Sequence, residues 1–176
     1  MSTRGILRSL ASLLRPRTQP VPNASTRVPD AQGSPGQTGP AATVEIDPPP
    51  RDGLRITYAP DRDGDPDAGE VVWTWVPYAE KDGRGKDRPV LVIGRQSADR
   101  VYAVRLTSRG REGDRDLLPI GAGPWDSRGR ESWVDTDQLY SVHRSGMRRE
   151  AAALERAVFA RVAAALQARH GWRVVG

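Results

Sequence analysis

"EVVWTWVPY", residues 70–78, sets Val71, Trp73 and Trp75 on one side of an extended chain and Val72, Thr74 and Val76 on the other, which is the period of a β-strand. Beyond a loop of glycine and mixed charge, "PVLVIGR" (89–95) is a continuous apolar run of strand length. "RVYAVRLTS" (100–108) is β-branched and aromatic, "DLLPI" (116–120) is a short strand, and "SWVDTDQLYSVHR" (132–144) reads as one or two more. Short strands separated by Gly and Asp loops imply a small antiparallel barrel or sandwich. The period changes only near the C-terminus. From Arg149 to about Arg169, Leu154, Val158, Val162 and Leu166 recur every fourth residue, with Phe159 and Ala165 beside them. One helix over the sheet is expected there.

Composition bounds the rest. The chain has 176 residues, room for one domain of the usual 100 to 150 or so plus spare length. From Pro16 to about Asp52 it is rich in Pro, Gly, Ser, Thr and Gln and nearly devoid of large apolar side chains; such a segment buries too little surface to offset its backbone entropy. Residues 1–52 are therefore expected to form a disordered extension, and 53–176 the folded domain. Inside the extension, "RGILRSLASLLR" (4–15) sets Ile6, Leu7, Leu10, Leu13 and Leu14 on one stripe beside Arg4, Arg8 and Arg15. It reads either as a short basic amphipathic helix for an anionic surface or as a frayed tail. Arginine interrupts its apolar run and no small-residue cleavage site follows, so it is not read as a secretory signal.

A net charge of +5 makes a polyanion a natural partner, because Lys and Arg displace counterions from phosphates. The absence of cysteine excludes disulfides, thiolate catalysis and cysteine-ligated metals, and two histidines are too few for a histidine metal centre. No apolar run approaches the roughly 20 residues of a membrane span. "DRDGDPDAGE" (61–70) begins like a calcium loop, but the turn glycine and the closing bidentate glutamate of such a loop fall on Pro66 and Val72. It reads as a solvated acidic turn, and no metal or other cofactor is expected.

Pro89 marks where the charged loop enters the sheet, since proline is tolerated at the first residue of a strand. Arg88 is thereby placed on the rim with its planar fork outward, a group suited to gripping phosphate bidentately. Thr107 and Ser108 end the next strand, and Asp135, Thr136 and Asp137 supply a third polar set. If those strand ends converge, the rim offers a cation, two hydroxyls and a carboxylate. Arg84, Lys86, Arg105 and Arg109 surround it with positive charge. If the first strand alternates, Trp73 or Trp75 faces outward, where an indole can stack an unpaired base, pack in the core or meet a second protomer. His143 and His170 read as structural.

The succession "GEVVWTWVP", glycine-rich charged loop, "RPVLV", a strand ending "LTS", "DQL" and a closing helix resembles the PemK/MazF family of toxin endoribonucleases over about Gly69 to Leu166. The resemblance implies an SH3-like barrel with a C-terminal helix. It also implies a cytoplasmic homodimer that cleaves single-stranded RNA without a metal, with a cognate antitoxin and operator DNA as further partners. Arg88 and Thr107 fall on the family's catalytic arginine and threonine, Ser108 on the adjoining hydroxyl, and Asp137 on an acidic position used by some members. Several members carry a glutamate in the loop before the arginine; the nearest carboxylate here is Glu80, further upstream, and Asp135 replaces an arginine found in some members.

The chemistry needs the same parts. Attack of a 2′-hydroxyl on phosphorus requires a proton acceptor, help for the leaving 5′-oxygen and positive charge on the phosphorane. With a pKa above about 12, Arg88 suits the last role. The Thr107 hydroxyl can bond a non-bridging oxygen, and Asp137 or Glu80 can accept the proton if burial raises its pKa. Two other classes fit the same residues: a toxin-like barrel that binds RNA, DNA or a protein without cutting, and a scaffold that binds no polyanion tightly. Purified protein incubated with RNA separates them.

Overall fold

The computed structural model describes residues 33–60, 65–80 and 82–175, and the stretch at 4–15 lies outside them. In chain order the elements are β1 (Val44–Ile46), β2 (Arg55–Thr57), β3 (Glu70–Pro77), β4 (Gly85–Arg95), β5 (Arg100–Thr107), β6 (Leu117–Gly121), β7 (Ser132–His143), β8 (Met147–Ala153), α1 (Arg156–His170) and β9 (Arg173–Val175). The main sheet is antiparallel in the order β1-β7-β5-β4-β3-β8, with β6 sharing the outer edge of β7 with β1. β2 and β9 form a separate parallel pair. The expected β-rich fold with one C-terminal helix is present. The ladder is an open path: among the described residues no pairing joins β8 to β1 or β6.

Alternation along the central strands loads both faces of the sheet. Val71, Leu91, Val104 and Leu139 join the larger cluster, where Phe159, Val162, Ala163 and Leu166 of α1 lie with Ile56 and Trp172. Val72, Val76, Val90, Val92, Ala103, Tyr140 and Val142 form a second cluster on the opposite face. The continuous run 90–93 therefore has no exposed member. Burial holds the helix, whose inward residues are spaced at one helical face. It stops at Gly171, whose left-handed φ of 75° suits glycine and whose N–H bonds Gln167 O at 2.8 Å. No described helix is long and apolar enough to cross a membrane.

Two sequence expectations change. The helix begins at Arg156 rather than Arg149, because 147–153 add β8 to the edge of β3. Ala152 is buried opposite Val71, and Arg149 meets Glu70 at 2.6 Å, so tertiary pairing overrides the local helical preference of an alanine run.

The second change concerns the boundary. The segment read as linker is structured from Gly33, and the compact unit runs from there to the C-terminus. Trp75 N–H donates to Pro35 O at 3.0 Å, and Thr43 N–H donates to Gly36 O at 2.8 Å. Thr74 Oγ1 donates to Gly146 O at 2.6 Å and therefore accepts from Thr43 Oγ1, also at 2.6 Å. Gly36 is required at this crossing: its φ is 83°, and a Cβ there would lie 2.3 Å from Thr74 Oγ1. Arg100 fastens the segment further, donating to Pro40 O, Ala42 O and Ser141 Oγ at 3.1, 2.6 and 2.7 Å. Apolar content misplaces the boundary because backbone and hydroxyl bonds hold this segment, with little apolar burial.

A chain starting at Gly53 loses at least three net hydrogen bonds of about 1 kcal/mol each and melts roughly 10 °C lower than one starting at Gly33. Equal melting temperatures for the two truncations by calorimetry would show that the segment adds nothing.

Candidate functional site

β4 and β5 run antiparallel with Val90 opposite Arg105; the same register carried outward sets Arg88 opposite Thr107. On its other side Arg88 pairs with Thr74 of β3. Here the apolar run gives way to charge, and a cavity of about 220 Å³ opens, lined by Arg88, Thr107, Ser108, Lys86 and Arg109. These five are the sequence candidates that the fold brings together. Trp73, Tyr78, Asp87, Trp125, Asp126, Arg130 and Ser132 complete most of the lining.

Arg88 has no carboxylate within ion-pair distance among the described residues, and its Nε is buried without a hydrogen-bond partner. Its guanidinium lies 6.0 Å from the centre of the Tyr78 ring, a weak cation–π contact. Burial pushes its pKa below the ordinary arginine value, and the nearby Arg105 and Arg109 push the same way. It nevertheless stays cationic at neutral pH. The fold thus holds a positive charge half out of water without an anion.

Thr107 Oγ1 accepts from Arg109 N–H at 3.1 Å, which turns the chain after β5 and leaves the hydroxyl hydrogen to donate. Gly110 lies flat against the indole of Trp133, where a Cβ would come within 2.1 Å of the ring, so the Arg109 turn is pinned. The opposite wall comes from the β6–β7 hairpin. Trp125 is buried and donates from Nε1 to Ser132 Oγ at 3.1 Å. Asp126 accepts from Arg128 N–H at 2.9 Å and from Arg130 Nε at 2.8 Å. Those bonds, the backbone one foremost, hold its carboxyl below the usual range.

The remaining candidates lie elsewhere. Asp137 is exposed and pairs with Arg169 at 2.6 Å at the end of α1, where Arg169 also takes Asp116. Glu80 is exposed on the β3–β4 loop and does not line the cavity. Arg84 pairs with Asp82, Arg105 with the buried Asp135 at 2.8 Å, and the half-buried Trp75 lies against Gly85. Both carboxylates at the cavity are also occupied, Asp126 by Arg130 and Asp87 by Arg148 at 2.5 Å. His170 Nε2 lies 2.8 Å from Thr136 O and its ring stacks on Trp172; His143 Nδ1 accepts from Ser145 N–H. Asp87, Asp126 and Arg130 escaped the sequence reading because mixed charge in a loop carries no period. The only signal for the hairpin wall was Trp125 alone amid Gly, Pro and charge.

No curated protein matches the chain. Among solved structures, the MazE-MazF (Form-III) crystal structure from Deinococcus radiodurans is 24% identical, with 61% of this chain and 97% of that one covered and a TM-score of 0.45. MazF (Form-I) from the same organism is 24% identical, covering 60% and 96% at a TM-score of 0.46. An endoribonuclease from a mycobacterial species is 17% identical, covering 60% and 92% at 0.43. The model of the PemK-like, MazF-like toxins matches residues 67–169, a span that starts just before β3, contains every residue of the cavity and ends within α1. A match over more than half the chain, with Arg88 and Thr107 side by side inside it, means that the chain belongs to the PemK-like, MazF-like toxins of type II toxin-antitoxin systems.

Proposed function

We propose that the chain is an endoribonuclease toxin that cleaves single-stranded RNA with its own 2′-hydroxyl as nucleophile and without a metal ion. The observation that supports this most is the half-buried, anion-free guanidinium of Arg88 beside the free hydroxyl hydrogen of Thr107. A cation kept unpaired in a cavity rimmed by Lys86 and Arg109 favours an incoming phosphate. The 2′-oxygen forms its bond to phosphorus, the bond to the 5′-oxygen breaks, and charge gathers on the non-bridging oxygens that Arg88 and Thr107 face. Preorganised donors act most strongly at that moment, because they need no reorganisation. With the cavity carboxylates ion-paired, catalysis rests on this electrostatic stabilisation; the 2′ proton leaves to water, and the departing 5′-oxygen takes a proton from water. The reading extends to a homodimer, to restraint by a cognate antitoxin, which the family description supports, and to an SH3-like barrel in which the open side of the sheet path lies between β8 and β1.

Single-turnover cleavage of a short RNA in EDTA tests it. Arg88→Ala lowers the rate about a hundredfold or more, the usual loss for one such donor at about 3 kcal/mol, with little change in binding. Arg88→Lys stays well below wild type because it loses the fork, and Thr107→Val loses about tenfold or less. Glu80→Gln and Asp137→Asn remain within about threefold of wild type, as groups outside the cavity should. Protein that binds RNA and leaves it whole would establish the binding-module reading instead.

Stability moves the opposite way. Since the folded state disfavours the charged form of Arg88, Arg88→Met removes a penalty and melts no lower than wild type, by about 2–4 °C higher for each kcal/mol relieved. A large fall in melting temperature would mean that Arg88 serves the fold.

A further inference from the structure

Among the described residues, four buried polar side-chain atoms lack a hydrogen-bond partner: Glu45 Oε2, Trp73 Nε1, Asp87 Oδ1 and Arg88 Nε. Three of the four belong to residues lining the one cavity described above. Buried polar groups are nearly always satisfied, so three together point to something that is absent until a ligand arrives. Arg88 is suited by phosphate. Asp87 Oδ1 is not, because a phosphate offers only acceptors and is repelled by the carboxylate, which also keeps it from the neighbouring Trp73 donor.

Trp73 and Asp87 are set together by the sheet. Trp73 lies opposite Pro89 on β4 and opposite Arg148 on β8, while Asp87 lies opposite Trp75, so Trp73 and Asp87 are diagonal neighbours on one face of adjacent strands. Arg148 Nη2 holds Asp87 Oδ2 at 2.5 Å, fixing the carboxylate so that Oδ1 is the free oxygen. One free donor and one free acceptor, beside an anion site and next to the Tyr78 ring, match a nucleotide whose base presents an acceptor beside an N–H. A peptide amide also has both groups but brings no phosphate for Arg88.

We infer that Trp73 and Asp87 read the Watson–Crick edge of one unpaired base next to the phosphate held by Arg88, and that they select cytosine or adenine, whose Watson–Crick edge sets an exocyclic amine beside a bare ring nitrogen, over uracil. The amine of cytosine donates to Asp87 Oδ1 while N3 accepts from Trp73 Nε1. In uracil the sole N–H is flanked by two carbonyl oxygens, whose lone pairs repel the carboxylate. This rests on the RNA reading of the cavity but is tested apart from cleavage.

The test is the affinity of full-length protein for 2′-O-methyl hexamers of A, C and U, in which the nucleophile is blocked. Wild type binds the C and A oligomers about tenfold or more tighter than U. In Asp87→Asn the side-chain oxygen turns to Arg148, which needs an acceptor, and the amide NH₂ faces the cavity. The preference for C over U is therefore lost, because the amide now opposes the cytosine amine while uracil's N3–H opposes Trp73 Nε1–H. Trp73→Phe keeps the ring and loses about fivefold for C, while Arg88→Ala leaves the C-to-U ratio unchanged. Thermal melts check that each variant is folded. An unchanged C-to-U ratio in both Asp87→Asn and Trp73→Phe overturns the inference, as does wild type that binds none of the oligomers or favours U. Selective binding with unmodified RNA left intact in EDTA would remove the nuclease reading and leave the base-reading pair standing.

Discussion

The central strands of this sheet are apolar on both faces, and that constraint arranges the rest of the molecule. Val71, Leu91, Val104 and Leu139 face one cluster, and Val72, Val90, Val92, Ala103 and Val142 face the other. A sheet solvated on one side would present polar groups all along its strands. Here β4 carries none from Val90 to Ile93. Arg88 stands where β4 enters the apolar run, and Thr107 is the last residue of β5. The cavity forms where the hydrophobic middle gives out, and the buried strands behind it keep its donors from shifting.

That geometry explains what was legible beforehand. The alternation at 70–78 and the run at 89–95 carry β3 and β4 because burial imposes a period on the residues that undergo it. Pro89 places Arg88 at the rim for a backbone reason that holds in any sheet. What could not be read depends on contacts between residues far apart in sequence. Nothing local in 147–153 shows that the edge of β3 is waiting for it. The polar segment at 33–46 is held by Arg100, Thr74 and Gly146, none of which it can announce. Asp137 reads as a site carboxylate until Arg169 is seen to take it.

The site also shows how charge pairing sorts the functional from the structural. The cavity and its surroundings hold many arginines, and most are neutralised: Arg105 by Asp135, Arg130 by Asp126, Arg148 by Asp87. Each pair fixes a side chain at little net gain in stability. The useful result is positional, since Asp126 and Asp87 steady the walls while Arg88 is left unpaired between them.

The pairing of early strands with late ones has a consequence for the order in which the molecule is built. Val44 pairs with Ser141 and Arg55 with Arg173, and Trp172 reaches back to Pro49, 123 residues away. Contacts so distant in sequence close late, because the intervening loop entropy must be overcome first. On the ribosome, where the chain emerges from its N-terminus at about 5–20 residues per second, β1 and β2 wait for β7 and β9, which are made long after them. Strands β3 to β5 can pair meanwhile, but the Trp125 wall and then the C-terminal lock arrive only afterwards. A nascent chain is therefore incomplete at its cavity until Ser132 has emerged, and β1 and β2 are secured only once β7 and β9 follow.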